Sequence, residues 1–473
     1  MIRTESSALA AALRTALPDG AVLTDDAEVE PYAHDDAEWA HYTTPAAVVL
    51  ATSLDDVVAT VRIAAEHDAP VVPRGAGTGL SGGANAMSGA IVLSLERMTR
   101  IREVNVAERY AVVEAGVLND DLRRRVAEDG LWYPPDPASQ AISTIGGNVA
   151  TNAGGLCCVK YGVTRDYVLG MTAVLADGSV ARLGRTTAKG VTGYDLTGLL
   201  VGSEGTLGII VEVTLKLRPL GGREDRAIVG WFSSLADAGN AVAAVSAAGI
   251  VPAALELIDS TCLRAVADWQ EWTLPEGAAA LLLAKVDEPG GAGEALAGQV
   301  AALFEDAGGT HVERAVAAEE VERLFLARRL AYPALERLGP VLTEDVCVPR
   351  AAVPAMLSRI ESIAAEADVV IANIAHAGDG NLHPLIIAPE GDDEAKARAK
   401  TAFDRIVDEC RALGGTVTGE HGVGLLKLPG AAAELSPVTL AMHRAIKGAL
   451  DPRGLLNPGK AFPSQDIDGS VGI

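Results

Sequence analysis

Two short segments in the last quarter of the chain carry the side chains best suited to chemistry. His376-Ala377-Gly378-Asp379-Gly380-Asn381-Leu382-His383 sets two of the chain's eight histidines at the ends of a glycine-rich turn. Gly419-Glu420-His421-Gly422 adds a carboxylate and a third imidazole. Two histidines around a turn and a distant Glu form a three-ligand metal set with an open position. His376, His383 and Glu420 are the ligands of that set, and His421 is left beside Glu420 as a base. Two nitrogens and one oxygen suit Zn²⁺, Mn²⁺ or Fe²⁺ without choosing among them. Asn381, inside the turn, is placed either to orient a neighbouring ligand or to touch substrate. A lone histidine in such a loop reads as structural; converging donors favour a metal.

Three glycine-rich strips lie upstream. In the first, Gly77-Thr78-Gly79-Leu80-Ser81-Gly82 has the spacing GxGxxG, which alone says little. A dinucleotide-binding turn opens a helix, but these glycines run on through Gly83 and Gly89 to an apolar strand at Ile91–Leu95. The strip is therefore a strand–loop–strand element whose backbone N–H groups can nest an anion. Its candidate cofactor residues are Pro73, Arg74, Gly75, Ala76, Gly77, Thr78, Gly79, Ser81 and Gly82, with Arg74 either assisting the anion or pinning the loop. The second strip follows the rigid run Pro134-Pro135-Asp136-Pro137 and supplies Pro137, Ser143, Thr144, Gly146, Gly147, Asn148, Ala150, Thr151, Asn152 and Gly155. Small residues there let a flat ring or phosphate chain approach the backbone. The third, Val201 to Ile210, contributes Glu204, Gly208, Ile209 and Ile210, with Glu204 reading either as a cofactor acceptor or as a turn cap. Taken together the strips imply a bulky, diphosphate-bearing cofactor. With a metal and a base, this points to redox chemistry on a small hydroxylated substrate. A metal hydrolase would share the His/His/Glu donors but leaves the three strips without a use.

The elements that must position these residues follow from pattern. The chain has 473 residues, enough for two or three domains. Ser53 caps a helix to His67 with Asp55 and Asp56 in its first turn. Strands are expected at Ala46–Thr52, Pro70–Pro73, Tyr110–Glu114, Val168–Leu175 and Leu207–Leu217. Composition shifts at Gly221-Gly222, and strands and helices then alternate as in an antiparallel sheet with helices on one face. Val369–Ala375 and Leu385–Ile387 are expected as strands flanking the histidine turn, and a charged helix covers Glu319–Leu338.

Composition excludes several functions. A net charge of −24 argues against nucleic acid and gives no attraction to an anionic membrane. An anionic substrate would need local positive charge against that field. Five scattered cysteines, without a CxxC, point to a reducing compartment with no disulfide framework and no iron–sulfur cluster. The early Ala/Leu stretch is cut by Arg14 and Pro18-Asp19 and does not read as a secretory leader; no run is long and apolar enough to span a membrane. A cytoplasmic location is expected, with or without peripheral attachment at the inner membrane face.

The three strips, in this order, resemble the FAD-binding module of the vanillyl-alcohol oxidase flavoprotein family. His376–His383, Gly419–Gly422 and Asn457-Pro458-Gly459-Lys460 are similar to the branch of cytochrome-type D-lactate dehydrogenases, D-2-hydroxyglutarate dehydrogenases and glycolate oxidase flavoprotein subunits. The resemblance spans roughly residues 40–463 and implies an α+β fold. Residues 1–220 would form a two-subdomain FAD module, 221–415 an inserted antiparallel-sheet cap, and 416–473 a segment returning to the FAD domain. It implies FAD held non-covalently, since Thr78 stands where some relatives carry a flavin-linked histidine, and adds Asn457 to the cofactor residues. It assigns His376, His383 and Glu420 to a divalent metal and His421 to the base.

The implied reaction is oxidation of a D-2-hydroxy acid. The metal would bind substrate oxygens, His421 would take the hydroxyl proton, and hydride would pass to flavin N5. Arg328 resembles the substrate-carboxylate arginine of the branch, with Arg329 one residue away in register and a surface ion pair to Glu320 or Glu322 as the plainer alternative. Relatives acting on 2-hydroxyglutarate place a lysine where this chain has Thr343, and Glu344 adds negative charge, so a monocarboxylate such as D-lactate or glycolate is expected. The electron acceptor would be a quinone, a cytochrome or an electron-transfer flavoprotein, and the assembly a homodimer or a complex with partner subunits.

Overall fold

A computed structural model describes residues 2–187, 189–315 and 318–463; side chains of residues 2–6 and 318–324 lie outside the description. The chain divides into two compact units. One comprises residues 1–154, 163–220 and 420–473, the other 155–162 and 221–419.

The first unit is built on a four-stranded and a five-stranded sheet, with Leu131–Trp132 and Arg218–Pro219 pairing as a short two-stranded one. Ala47–Leu50, Ile91–Ser94 and Val71–Arg74 run parallel, with Val22–Leu23 added antiparallel at one edge. Their strands are almost wholly apolar, as a sheet covered on both faces requires. Helix Leu54–Glu66 covers one face and begins at a capping box: Asp56 N–H donates to Ser53 Oγ, while Ser53 N–H donates to the Asp56 carboxylate. The second sheet is antiparallel, in the order Ile101–Asn105, Tyr110–Glu114, Ile209–Lys216, Val168–Val174, Val180–Gly184. Alternation along Ile209–Lys216 sends Ile209 and Val211 into one apolar core and Ile210, Val213 and Leu215 into another, with a bulge after Ile210 shifting the phase. The first strip leaves the end of Val71–Arg74, the second forms the short helix Ile145–Thr151, and the third runs into Ile209–Lys216.

The second unit is one eight-stranded antiparallel sheet. Its path is Gly309–Ala315, Arg226–Phe232, Ala280–Val286, Ala254–Asp259, Val370–His376, Asn381–Ile387 and Val341–Thr343, with Val346–Cys347 also pairing Asn381–Ile387. The helices lie on both faces rather than on one. Val229 packs in a core with Leu263 and Val266 of helix Ser260–Gln270 and Leu335 of helix Ala318–Glu336. The next residue, Gly230, faces the other way, toward Phe304 of helix Gly290–Asp306. A sheet whose apolar residues sit on both sides of each strand needs cover on both. The excursion 155–162 is fastened inside this unit by Asp287, which receives Lys160 Nζ, the Tyr161 hydroxyl, and Arg223 Nε at 3.1 Å.

Replacing Ser53 by Ala removes one arm of the capping box and should cost about 1 kcal/mol. The check is an earlier urea transition followed by circular dichroism; an unchanged midpoint would show that the box contributes nothing.

Candidate active site

In the second unit, strand register gathers the chemistry on one face. Val370–His376 and Asn381–Ile387 form a hairpin in which His376 pairs with Asn381 and Ile374 with His383. Cross-strand partners share a face, so both histidines and Asn381 point the same way. The imidazole centroids lie 5.2 Å apart, edge to face, and both residues are buried. The neighbouring strands supply a carboxylate behind each ring. Ala254–Asp259 pairs Leu257 with Ala375, and that register continued by one residue sets Glu256 opposite His376. Both Glu256 oxygens lie within reach of His376 Nδ1, at 2.9 and 3.0 Å. On the other side Val346 pairs with Leu382, which carries Asp345 to His383; Asp345 Oδ1 lies 3.6 Å from its Nδ1.

Two further groups complete this face. Helix Ala318–Glu336 brings Arg328, which donates from Nε to Glu256 Oε2 at 2.8 Å. Asp345 accepts from Asn381 Nδ2 at 2.8 Å, Thr418 Oγ1 at 2.6 Å and the Gly419 N–H at 2.9 Å. Burial pushes the Glu256 carboxyl up, but His376 and Arg328 outweigh it and hold it below its ordinary value, so it is ionised.

In the first unit, the three glycine strips line one pocket together with Glu420 and His421. Its floor is backbone. The N–H groups of Gly75, Ala76, Gly77, Thr78 and Gly79 donate to no group among the described residues. Consecutive N–H groups left open to a cavity form a nest for an anion. Gly77 has φ +78° and a Cβ there would collide with the Arg74 guanidinium. His421 is held by its backbone: Ser81 Oγ donates to the carbonyls of His421 at 3.2 Å and Gly422 at 2.8 Å. The Glu204 carboxylate accepts the N–H groups of Val423 and Gly424, each at 2.8 Å.

The placement of individual residues sharpens several expectations. Arg74 donates to the carbonyls of His34 at 2.6 Å and Pro31 at 3.2 Å, so it pins the loop. Glu204 caps the turn after His421, while still lining the pocket. Residues 73–79, Ser81, Pro137, Ser143, Thr144, Gly146, Gly147, Asn148, Ala150, Thr151, Gly208 and Ile210 line the pocket. Gly82, Asn152, Ile209 and Asn457 do not line it, nor does Gly155, which belongs to the other unit. Gly82 faces Ala40, Asn152 is a left-handed helix cap that accepts from Arg165 N–H, and Ile209 points into the core behind the strand. Asn457 donates to the carbonyls of Gly83 and Glu204, and Lys460 Nζ adds bonds to Gly83 and Asn85. Arg328 is buried on the histidine face while Arg329 is exposed. The side chains of Glu320 and Glu322 lie outside the described residues. Asn381 spends its Nδ2 on Asp345 and so orients a neighbour. Glu256 and Asp345 had no place in the predicted site. The one signal for Glu256 is a carboxylate inside the apolar strand Ala254-Leu255-Glu256-Leu257-Ile258.

Residues 45–184 match a FAD binding domain, and residues 223–461 match the C-terminal domain of FAD linked oxidases. The chain is 41% identical over 428 residues to the glycolate oxidase subunit GlcD of Bacillus subtilis (strain 168), covering 90% of this chain and 91% of that one. This chain belongs to the FAD-linked oxidase family. The flavoprotein is also 38% identical to the glycolate oxidase subunit GlcD of Escherichia coli (strain K12), over 96% of this chain and 90% of the other. It is 36% identical to a D-lactate dehydrogenase of Anaerostipes hadrus, over 93% and 94%. Among solved structures, p-cresol methylhydroxylase aligns with a TM-score of 0.80 at 21% identity, over 97% of both chains. The fold is that of vanillyl-alcohol oxidase-type flavoproteins, and this FAD-linked oxidase is an oxidoreductase. The residues present fit FAD: the open N–H run suits its diphosphate, and the small residues of the second strip leave room for its ring.

Gly77→Ala should weaken FAD retention about tenfold or more, combining left-handed strain of ~1 kcal/mol with the clash on Arg74. The flavin-to-protein absorbance ratio after gel filtration reads this; a wild-type ratio would separate the loop from the cofactor. A second expectation concerns Lys460, whose burial pushes its pKa down to about 8. Above that pH the folded protein holds a neutral amine while the unfolded chain stays protonated. The stability of FAD-free wild type relative to Lys460→Met should therefore rise from pH 8 toward 10, approaching about 1.4 kcal/mol per pH unit. A flat or falling difference in urea titrations would refute it.

Proposed function

We propose that this flavoprotein oxidises a small D-2-hydroxy acid, D-lactate or glycolate in preference, to the 2-oxo acid. The observation that carries the reading is the hairpin that sets His376 and His383 on one face, ring centroids 5.2 Å apart, with Glu256 against one ring and Asp345 near the other, in a chain of the FAD-linked oxidase family. The relatives named as glycolate oxidase subunits and D-lactate dehydrogenases support the substrate class. FAD, when bound in the strip-lined pocket, would supply the two-electron acceptor for the C2 hydride. A divalent cation, Zn²⁺, Mn²⁺ or Fe²⁺, would have His376, His383 and Glu420 as its ligands and would supply Lewis acidity to a hydroxyl and carboxylate.

The chain's own residues do the rest. His376, with Nδ1 on Glu256, presents Nε2 as a ligand nitrogen. Glu420 follows Gly419, whose N–H is anchored on Asp345. His421 accepts the substrate hydroxyl proton at its imidazole, and the hold of Ser81 and Glu204 on the adjoining backbone keeps that ring in register with the cofactor strips. Arg328 offers its guanidinium to the substrate carboxylate. A second carboxylate is poorly served. Thr343 offers a buried hydroxyl where a cation would be needed, and Glu344 and Asp345 follow it, both fully buried.

Two relatives are named as subunits, which favours a second form of the same reading: the chain as the flavin-carrying part of a larger assembly that passes electrons to a quinone, a cytochrome or an electron-transfer flavoprotein. No described helix is long and apolar enough to cross a membrane. This form of the reading goes with a cytoplasmic location, with or without peripheral attachment at the inner membrane face. Partners that co-purify from the native host would carry this form, and a lone active chain would remove it.

Anaerobic mixing with D-lactate, L-lactate, glycolate and D-2-hydroxyglutarate should bleach the flavin with D-lactate or glycolate and not with L-lactate. Bleaching by none of them would sink the reading, and bleaching by D-2-hydroxyglutarate alone would overturn the monocarboxylate preference. His421→Ala should stay yellow and lose about 10²- to 10⁴-fold in bleaching rate. Dialysis against a chelator should abolish bleaching with the flavin retained, and one of the three cations should restore it; undiminished bleaching would remove the metal.

A further inference from the structure

Glu256 joins the histidine hairpin to the covering helix. It is fully buried in the middle of a strand, where a lone ionised carboxylate would be strongly disfavoured. Its charge is held by two donors from different elements, His376 Nδ1 on the next strand and Arg328 Nε on the covering helix. Both are residues to which the reading above gives work, one on the cation and one on the substrate carboxylate. Each contact restricts its partner in a definite way. A proton on Nδ1 facing Glu256 leaves the lone pair on Nε2, the tautomer that can ligate. A guanidinium tied through Nε keeps its terminal nitrogens, which make no hydrogen bond among the described residues, as a fork for a carboxylate.

Resting on the proposed function, we infer that Glu256 is a positioning residue that fixes His376 and Arg328 together, so that cation binding and hydroxy-acid binding are coupled through one buried side chain. The sharing is geometric: Oε2 lies 3.0 Å from His376 Nδ1 and 2.8 Å from Arg328 Nε. Whatever turns the carboxylate toward one partner turns it from the other. A cation that draws His376 toward itself also resets the anchor of Arg328. The substrate then meets a guanidinium already in place.

Glu256→Gln tests this. The amide keeps the shape, but one of its two polar atoms is now a donor facing donors, so a single oxygen must serve both partners. On the FAD-loaded protein, the Mn²⁺ dissociation constant, read from the free-ion paramagnetic resonance signal, should rise about 10- to 100-fold. KM for the reactive hydroxy acid should rise several-fold, with kcat falling less and FAD content unchanged. An ion pair with a purely structural role would lower the thermal transition and leave both constants of the folded protein at wild-type values; that result overturns the inference. Should Glu256→Gln fail to fold because Arg328 is stranded, the same change in an Arg328→Met background removes the stranded cation. Cation affinity must still fall relative to Arg328→Met alone, or the inference is lost. A wild type that takes up none of Mn²⁺, Zn²⁺ and Fe²⁺ would instead remove the metal reading, and this inference with it.

Discussion

Much of the second unit's chemistry rests on the pairing register of four strands. Residues that face each other across an antiparallel ladder share a side of the sheet, and a slip of one residue would send every one of them to the opposite face. Here His376 faces Asn381, Glu256 falls opposite His376, and Asp345 falls opposite His383. Each imidazole therefore meets a carboxylate from a neighbouring strand, and no loop has to be ordered to bring them there. That arrangement is stiff, because strands on both sides of the hairpin are themselves hydrogen-bonded and covered by helices on both faces. Asp345 extends the same order to the chain ahead of Glu420 through Thr418 and Gly419.

The first unit solves a different problem, which is to leave polar backbone open where a cofactor will need it. A run of unpaired N–H groups tends to collapse onto neighbouring carbonyls. In this structure the surrounding loop is held from behind by buried cations. Arg74 occupies the carbonyls of Pro31 and His34, and Lys460 those of Gly83 and Asn85. With those acceptors taken, the amides of residues 75–79 face the pocket. The same logic holds His421: its neighbours are fastened to Ser81 of the first strip and Glu204 of the third, so the base and the cofactor floor share one set of supports.

What could be read from the chain alone was whatever local spacing encodes. The glycine strips, the capping box at Ser53 and the hairpin around Gly378–Gly380 are each written in a short window, and each was legible, although the hairpin's second strand starts at Asn381 rather than at the expected Leu385, so that His383 lies within it. The partners of those windows were not. Glu256 is 120 positions from His376, and only strand order joins them. The roles of Arg74 and Glu204 were open in sequence because a guanidinium beside a phosphate loop and a carboxylate beside a turn each have two common uses; tertiary neighbours show the structural use of each, while both side chains still line the pocket. Ile209 and Ile210 show the limit most plainly, since two adjacent isoleucines of equal promise point to opposite sides of one strand.

The excursion of residues 155–162 has an evolutionary consequence. The chain leaves the first unit for these eight residues, and within the second unit Lys160 and Tyr161 meet Asp287, which Arg223 also reaches, before the chain turns back. Recombination between related genes that exchanged only the stretch 221–419 would separate a buried acid from two of its three partners. A viable hybrid must inherit the eight-residue detour from the same parent as the larger insert, so the heritable module is discontinuous although its fold is not.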